Sequence, residues 1–252
     1  MLSKNKIKYI HSLELKKNRK EEQAFVAEGH KLVGDLLGHF PCRLLVAVPQ
    51  WLQAHPHVQA DEVIEVTQDE LTRASLQKAP QEVLAIFSQP QYAFAPEAIE
   101  SSLCLALDDV QDPGNLGTII RLADWFGIEH IFCSQGTVDV YNPKTIQATM
   151  GALPRVKLHY CSLPQLISSL KPETPVYGTF LDGDNMYGKE LSANGLIVMG
   201  NEGNGISNEV SRLINRRLYI PNFPADRETS ESLNVAVATA VICAEFRRRM
   251  SK

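Results

Sequence analysis

Two unbroken apolar runs, Leu103-Cys-Leu-Ala-Leu107 and Leu196-Ile-Val-Met199, each end directly in a loop of polar and glycine residues. A half-solvated strand alternates apolar and polar side chains. These runs have no polar face, the pattern of a strand covered on both sides of a parallel sheet. The surrounding chain agrees. A helix is expected over residues 115–126 with Gly127 as its stop, a strand over 128–133, and a second helix opened by Asn142-Pro143 and closed near Met150 and Gly151. Further strands are expected over 175–181 and 196–199, and a last helix over 233–249. Strand and helix alternate, so residues 100–252 read as an α/β domain on an open, mostly parallel sheet.

Residues 1–90 read as a smaller α/β unit. Candidate strands begin at Phe25, Leu44, Val63 and Val83, with helices over 30–37 and 69–77 between them. Ahead of them, residues 1–22 carry Lys4, Lys6, Lys8, Lys16, Lys17, Arg19 and Lys20 against Glu14, Glu21 and Glu22. Ile7, Ile10 and Leu13 recur there at helical spacing, which predicts one basic amphipathic helix; a solvated face and an RNA contact both fit it. Prolines at 90 and 96 interrupt all periodicity, so residues 91–99 are expected to be a linker.

Charge and cysteine usage limit the partners. A net charge of −4 over 252 residues excludes nucleic-acid binding through bulk charge and leaves local patches to do it. Cys42, Cys104, Cys133, Cys161 and Cys243 lie far apart with no CxxC pair, as expected of reduced core thiols in a cytoplasmic protein. No metal site is expected, since His55-Pro-His57 lacks a second ligand pair. No signal peptide is expected either, and the longest apolar run, residues 233–246, is too short and too polar to cross a membrane.

Three segments carry the candidate chemistry: Asp112-Pro-Gly-Asn-Leu-Gly-Thr-Ile-Ile-Arg121, Val198-Met-Gly-Asn-Glu-Gly-Asn-Gly-Ile206 and Ser230-Glu-Ser-Leu-Asn234. Singly, each has a plain structural reading. Ser230 or Ser232 can cap the final helix, Asn115 can cap the helix it opens, and Arg121 can be an exposed helix arginine. The glycine loop is neither a Rossmann fingerprint nor a phosphate loop, because its spacing differs and no Gly-Lys-Ser/Thr follows. Glycines behind an apolar strand do let backbone N–H and C=O groups approach a flat ligand such as adenine.

In order and spacing these segments resemble motifs one, two and three of the SpoU (TrmH-like) family of RNA ribose methyltransferases, over roughly residues 100–250. The resemblance implies a deep trefoil knot of the SPOUT type, S-adenosylmethionine bound at the C-terminal end of the sheet, and a homodimer. It places Gly200, Ile220 and Leu233 against that cofactor with Thr179, Leu181, Met199 and Asn234 as neighbours, and makes Arg121 the central catalytic residue. The run from Phe25 to Val33 is similar to a small ribosomal-protein-like RNA-binding domain often fused to such enzymes.

A guanidinium stays protonated, so Arg121 is expected to grip a phosphate or the developing alkoxide rather than to act as a simple base. Asn115 is expected to orient Arg121 or the substrate, Glu202 to pair with a basic group across the site, and Ser232 and Asn234 to hydrogen-bond the substrate or the arginine. The third motif departs from the family pattern by about four extra residues within 223–231. Asp226, Arg227 and Glu228 there read equally as an RNA entrance or a solvated loop tip.

The implied reaction is S-adenosylmethionine-dependent methylation of a ribose 2′-hydroxyl, in ribosomal RNA by the likeness of the first domain. A transfer-RNA methyltransferase, a base methyltransferase and a non-catalytic RNA-binding assembly protein of the same fold remain open.

Overall fold

The computed structural model describes residues 2–224 and 232–250. The chain divides into two compact units, Met1–Gln91 with Asp139–Pro154, and Tyr92–Val138 with Arg155–Lys252.

In the first unit α1 (Lys4–Ser12) and α2 (Lys16–Glu22) precede β1 (Ala24–Glu28), α3 (His30–Leu36), β2 (Cys42–Ala47), α4 (Pro49–Ala54), β3 (Val63–Glu65), α5 (Gln68–Ala74) and β4 (Val83–Ser88). The strands form one sheet in the order β1-β4-β2-β3, antiparallel except for the β2–β3 pair. The basic stretch is not the single helix that its periodicity predicts. It breaks after Ser12, where Leu13 turns into the core and Asn18 Nδ2 donates to the Ser12 carbonyl at 2.8 Å. Arg19 holds the break. Only 2% exposed, it donates from Nη1 to the Leu13 and Glu14 carbonyls at 2.9 and 2.7 Å, and from Nε and Nη2 to Asp139 Oδ2 at 2.9 and 2.6 Å. A residue counted with the basic face is therefore a buried cross-brace.

The chain continues with α6 (Ala98–Ser101), β5 (Leu103–Leu107), α7 (Pro113–Trp125), β6 (His130–Cys133) and α8 (Pro143–Thr149). Helix α8 belongs to the first unit, where it packs on β1. Then come β7 (Lys157–Tyr160), α9 (Leu163–Ser169), β8 (Val176–Asn185), β9 (Gly195–Met199), α10 (Asn208–Ser211), β10 (Arg216–Tyr219) and α11 (Val235–Met250).

Six strands form a sheet in the order β10-β8-β9-β5-β6-β7, with every pairing parallel. The two apolar runs are β5 and β9, adjacent at its centre and buried at every position, as the absence of a polar face requires. One face packs on α9 through Cys104, Ala106, Phe132, Leu163, Leu166 and Val198. In α11, Ile242, Cys243 and Phe246 are fully buried, and Phe246 meets Tyr177 edge-on at 4.9 Å. Each such large side chain contributes about 1.5–3 kcal/mol by leaving water. Among the described residues no helix is long and apolar enough to cross a membrane.

Both ends of α7 are tied. Asp112, not Asn115, is its cap, accepting the Asn115 backbone N–H at 2.7 Å on Oδ1. At the other end Arg247 of α11 donates to the Phe126 and Gly127 carbonyls at 2.6 and 3.0 Å.

Candidate active site

The carboxyl ends of β8, β9 and β10 and the start of α11 enclose a cavity of about 480 Å³, within the ~300–1,000 Å³ usual for small-molecule sites. Thr179, Phe180 and Leu181 form one wall, Met199 and residues 200–206 a second, Tyr219 and Ile220 a third, and Ser232, Leu233, Val235 and Ala238 the last. All six residues that the sequence assigns to a cofactor (Thr179, Leu181, Met199, Gly200, Ile220 and Leu233) line this one cavity, together with Glu202 and Ser232.

The glycine loop is held by its own backbone. Asn201 Oδ1 accepts the N–H groups of Gly203 and Asn204 at 2.9 and 3.0 Å, and the main chains of Asn201 and Gly205 exchange both hydrogen bonds at 2.9 Å. Asn201 Nδ2 reaches back to the Asp109 carbonyl at 2.7 Å. A Cβ at Gly200 would stand 2.2 Å from the Gly205 carbonyl carbon, so only glycine fits there. Beneath the loop the buried Asp108 accepts the Ser207 N–H at 2.7 Å.

At the rim, a chain of side-chain amides joins all three motifs. Asn234 Nδ2 donates to Asn115 Oδ1 at 3.0 Å, and Asn115 Nδ2 donates to Glu202 Oε1 at 2.9 Å. Asn234 Oδ1 takes the Ala236 and Val237 N–H groups at 2.9 and 3.3 Å, so Asn234, rather than Ser232, caps α11. Asn115, Glu202 and Asn234 thus meet, and Ser232 faces the same cavity. Arg121 stands apart. Six residues beyond Asn115 on α7, it is about 9 Å along the axis and roughly 240° around it, is exposed, and makes no hydrogen bond or ion pair with any described residue. Within this chain the Asn115 side chain is bonded to Glu202 and Asn234, and no hydrogen bond joins it to Arg121.

Sequence reasoning missed Asp112 and Asn201, which shape the two loops, and Ile206 and Tyr219, which line the cavity. The Asx signal at Asn201, with Gly203 and Asn204 just downstream, was legible; Tyr219 was not, because its place in the cavity wall follows from β10 pairing with β8 rather than from its own neighbours in the chain. Ser230, Asp226, Arg227 and Glu228 lie outside the described residues.

Burial favours the protonated, weakly nucleophilic form of all five thiols. Burial pushes Cys42, Cys104 and Cys161 up to about 11, Cys243 to about 12, and Cys133 higher still. No cluster of three or more His, Cys, Asp or Glu that could hold a metal occurs among the described residues.

A sequence model described as the SpoU rRNA methylase family matches residues 102–244, the stretch that builds this cavity. The chain belongs to the SpoU family. A second model, an MRM3-like substrate binding domain, matches residues 4–85. Among named SpoU-type relatives, the 23S rRNA (guanosine(2553)-2′-O)-methyltransferase RlmP of Bacillus subtilis is 30% identical over 96% of both chains. A putative RNA methyltransferase of the TrmH family from Porphyromonas gingivalis superposes with a TM-score of 0.90 at 44% identity over 99% of both chains. The AdoMet-bound rRNA methyltransferase of Sinorhizobium meliloti gives 0.86 at 32% identity, over 99% of this chain and 97% of that one.

Proposed function

We propose that the protein is an S-adenosylmethionine-dependent RNA methyltransferase acting on a ribose 2′-hydroxyl in ribosomal RNA. The observation that carries this reading is the convergence of the second and third SpoU motifs on one cavity, where Gly200 leaves no room for a side chain and Asn115 of the first motif is hydrogen-bonded to Glu202 and Asn234 at the rim. Support for the cofactor comes from a cavity that sets Met199, Ile206, Ile220 and Leu233 against the main chain of residues 200–205, and from an AdoMet-bound structure of a relative at 32% identity. Support for ribosomal RNA comes from the family match and from the named activity of the B. subtilis relative.

The cofactor supplies an electrophilic sulfonium methyl, whose bond to sulfur breaks with the electron pair on sulfur as the ribose oxygen takes the carbon. The chain must bind, align and handle one proton. Met199, Ile206, Ile220 and Leu233 exclude water around the donor, and the 200–205 backbone reads the adenine edge. Glu202 at the rim accepts the hydroxyl proton. Arg121, a fixed cation, draws the RNA phosphate and stabilises charge developing on the ribose oxygen. Ser232 orients the substrate from the opposite wall.

The separated position of Arg121 favours a homodimer in which α7 of one subunit completes the site of the other. In its support, α7 exposes Trp125 (83% exposed) one turn beyond Arg121, and the outward stripe of α11 is Val237, Val241 and Ala244. Ala236, Ala240 and Ala244 recur at i, i+4 spacing on α11, but Ala236 is buried and does not belong to that stripe. The trefoil knot is part of the same proposal, supported by the parallel insertion of β8 between β9 and β10 and the SpoU match. So are a first unit that presents RNA through the lysines of α1 and α2, and a cytoplasmic location, supported by five free cysteines.

The reaction is tested by nuclease digestion of the methylated product. Ribose methylation gives nuclease-resistant dinucleotides carrying the label; label released on a free base would overturn the assignment to ribose.

A further inference from the structure

Glu202 is exposed at the tip of a glycine loop, where a carboxylate alone would sample many positions. Two features restrain it. Its backbone is fixed by the Asn201 turn, and its Oε1 takes a hydrogen bond from Asn115. An asparagine amide has one donor end and one acceptor end, so the direction of each link depends on what the other end must do.

That direction is set at α11. The first turn of a helix leaves N–H groups that need an acceptor, and Asn234 Oδ1 serves both Ala236 and Val237. With its oxygen committed, Asn234 can offer only N–H, and Asn115 must turn its own oxygen to receive it. Asn115 Nδ2 is then the end that faces Glu202. Glu202 Oε2 takes no hydrogen bond from any described residue.

We infer that Asn234 and Asn115 form a one-way amide relay, in which the cap of α11 dictates that Glu202 is held as a hydrogen-bond acceptor with one carboxylate oxygen presented to the RNA. Both asparagines act as positioning residues through Glu202. This deepens the methyltransferase reading and rests on it. In the transfer the 2′-hydroxyl proton passes to Glu202 Oε2, the ribose oxygen bonds to the methyl carbon, and the carbon–sulfur bond breaks with its electrons on sulfur. The proton leaves Glu202 to solvent.

Asn234→Asp separates the relay from the cap. Aspartate still accepts the α11 N–H groups and adds favourable charge at a helix N-terminus, so folding is preserved. It cannot donate, so Asn115 must turn its amide around and present oxygen to Glu202. Asn115→Asp places a second carboxylate beside Glu202 directly, and a neighbouring negative charge makes a carboxyl give up its proton at higher pH.

The experiment measures methyl transfer against pH, S-adenosylmethionine affinity, melting temperature, and the titration of the Glu202 side-chain carboxyl by ¹³C NMR, assigned with Glu202→Gln. Expected for Asn234→Asp are a melting temperature and cofactor affinity like those of the parent, and a turnover number reduced at least about tenfold at neutral pH. The acid limb of the rate profile moves up by about one unit or more in Asn115→Asp. The Glu202 carbon titrates at correspondingly higher pH. Parent-like turnover and pH profile in Asn234→Asp overturn the relay. If the parent protein transfers no methyl to any RNA, the functional reading fails, while the carboxyl titration still decides whether the relay exists.

Discussion

Two polar clusters in this chain use the same bonds to opposite ends. In the first unit every nitrogen of Arg19 is engaged, two on Asp139 and the third on the carbonyls of a broken helix, and water is excluded. In the second unit the Asn234–Asn115–Glu202 chain is exposed and stops one atom short, with a carboxylate oxygen left over. A saturated buried cluster can only hold structure together. An unsaturated one at a cavity rim has capacity to bind, and it costs little to keep because water satisfies it until a substrate arrives. Saturation and burial, rather than residue type, separate a brace from a site.

Variants that move one property and spare the other test this contrast. The largest effect is expected at Arg121, which no described residue engages. Arg121→Ala is expected to lower methyl transfer by about 10³-fold while melting temperature and cofactor affinity stay at parent values; turnover near that of the parent would remove Arg121 from the reaction. Next is the brace. Arg19→Met leaves Asp139 Oδ2 and two carbonyls without the bonds Arg19 gives them, and is expected to cost about 3 kcal/mol of stability, read by denaturant unfolding, with cofactor affinity in the folded protein unchanged.

Gly200→Ala is expected to weaken cofactor binding about tenfold or more by forcing the 200–205 loop away from its own turn, measured by calorimetry, with only a small change in melting temperature. The smallest effect concerns a third cluster, His130, Phe132, His159 and Phe94 on β6, β7 and the preceding segment. Burial there pushes His159 down from 6.5 to about 4, and His130 and Lys157 push the same way against Glu97. Burial lowers His130 as well, opposed by Glu129. A histidine whose folded value lies below its unfolded one favours the fold while neutral, so its contribution is whole above pH 6.5 and declines as pH falls toward 4. His159→Phe is expected to flatten stability over that window; an unchanged slope would assign acid sensitivity to other groups.

What the sequence revealed follows the same division between local and distant causes. β5 and β9 were legible because burial on both faces writes itself into every residue. The edge strands β7 and β10 were not among the expected strands: they carry Lys157, Arg216 and Arg217, charged residues of the kind that keep sheet edges from pairing further. The break after Ser12 was invisible because its cause, Asp139, lies 120 residues from Arg19. The cavity residues were found through the family resemblance, not through periodicity. The cap at Asn234 was missed because Ser232 in the same segment is an equally good cap on paper, and only the geometry of the first turn of α11 separates the two.

The most direct test of the central claim is transfer of labelled methyl from S-adenosylmethionine to separate pools of unmodified ribosomal and transfer RNA, with digestion to locate the label. Label on a ribose of ribosomal RNA is the expected result. Label confined to transfer RNA or to a base, or no label in either pool while the protein binds cofactor, would contradict it.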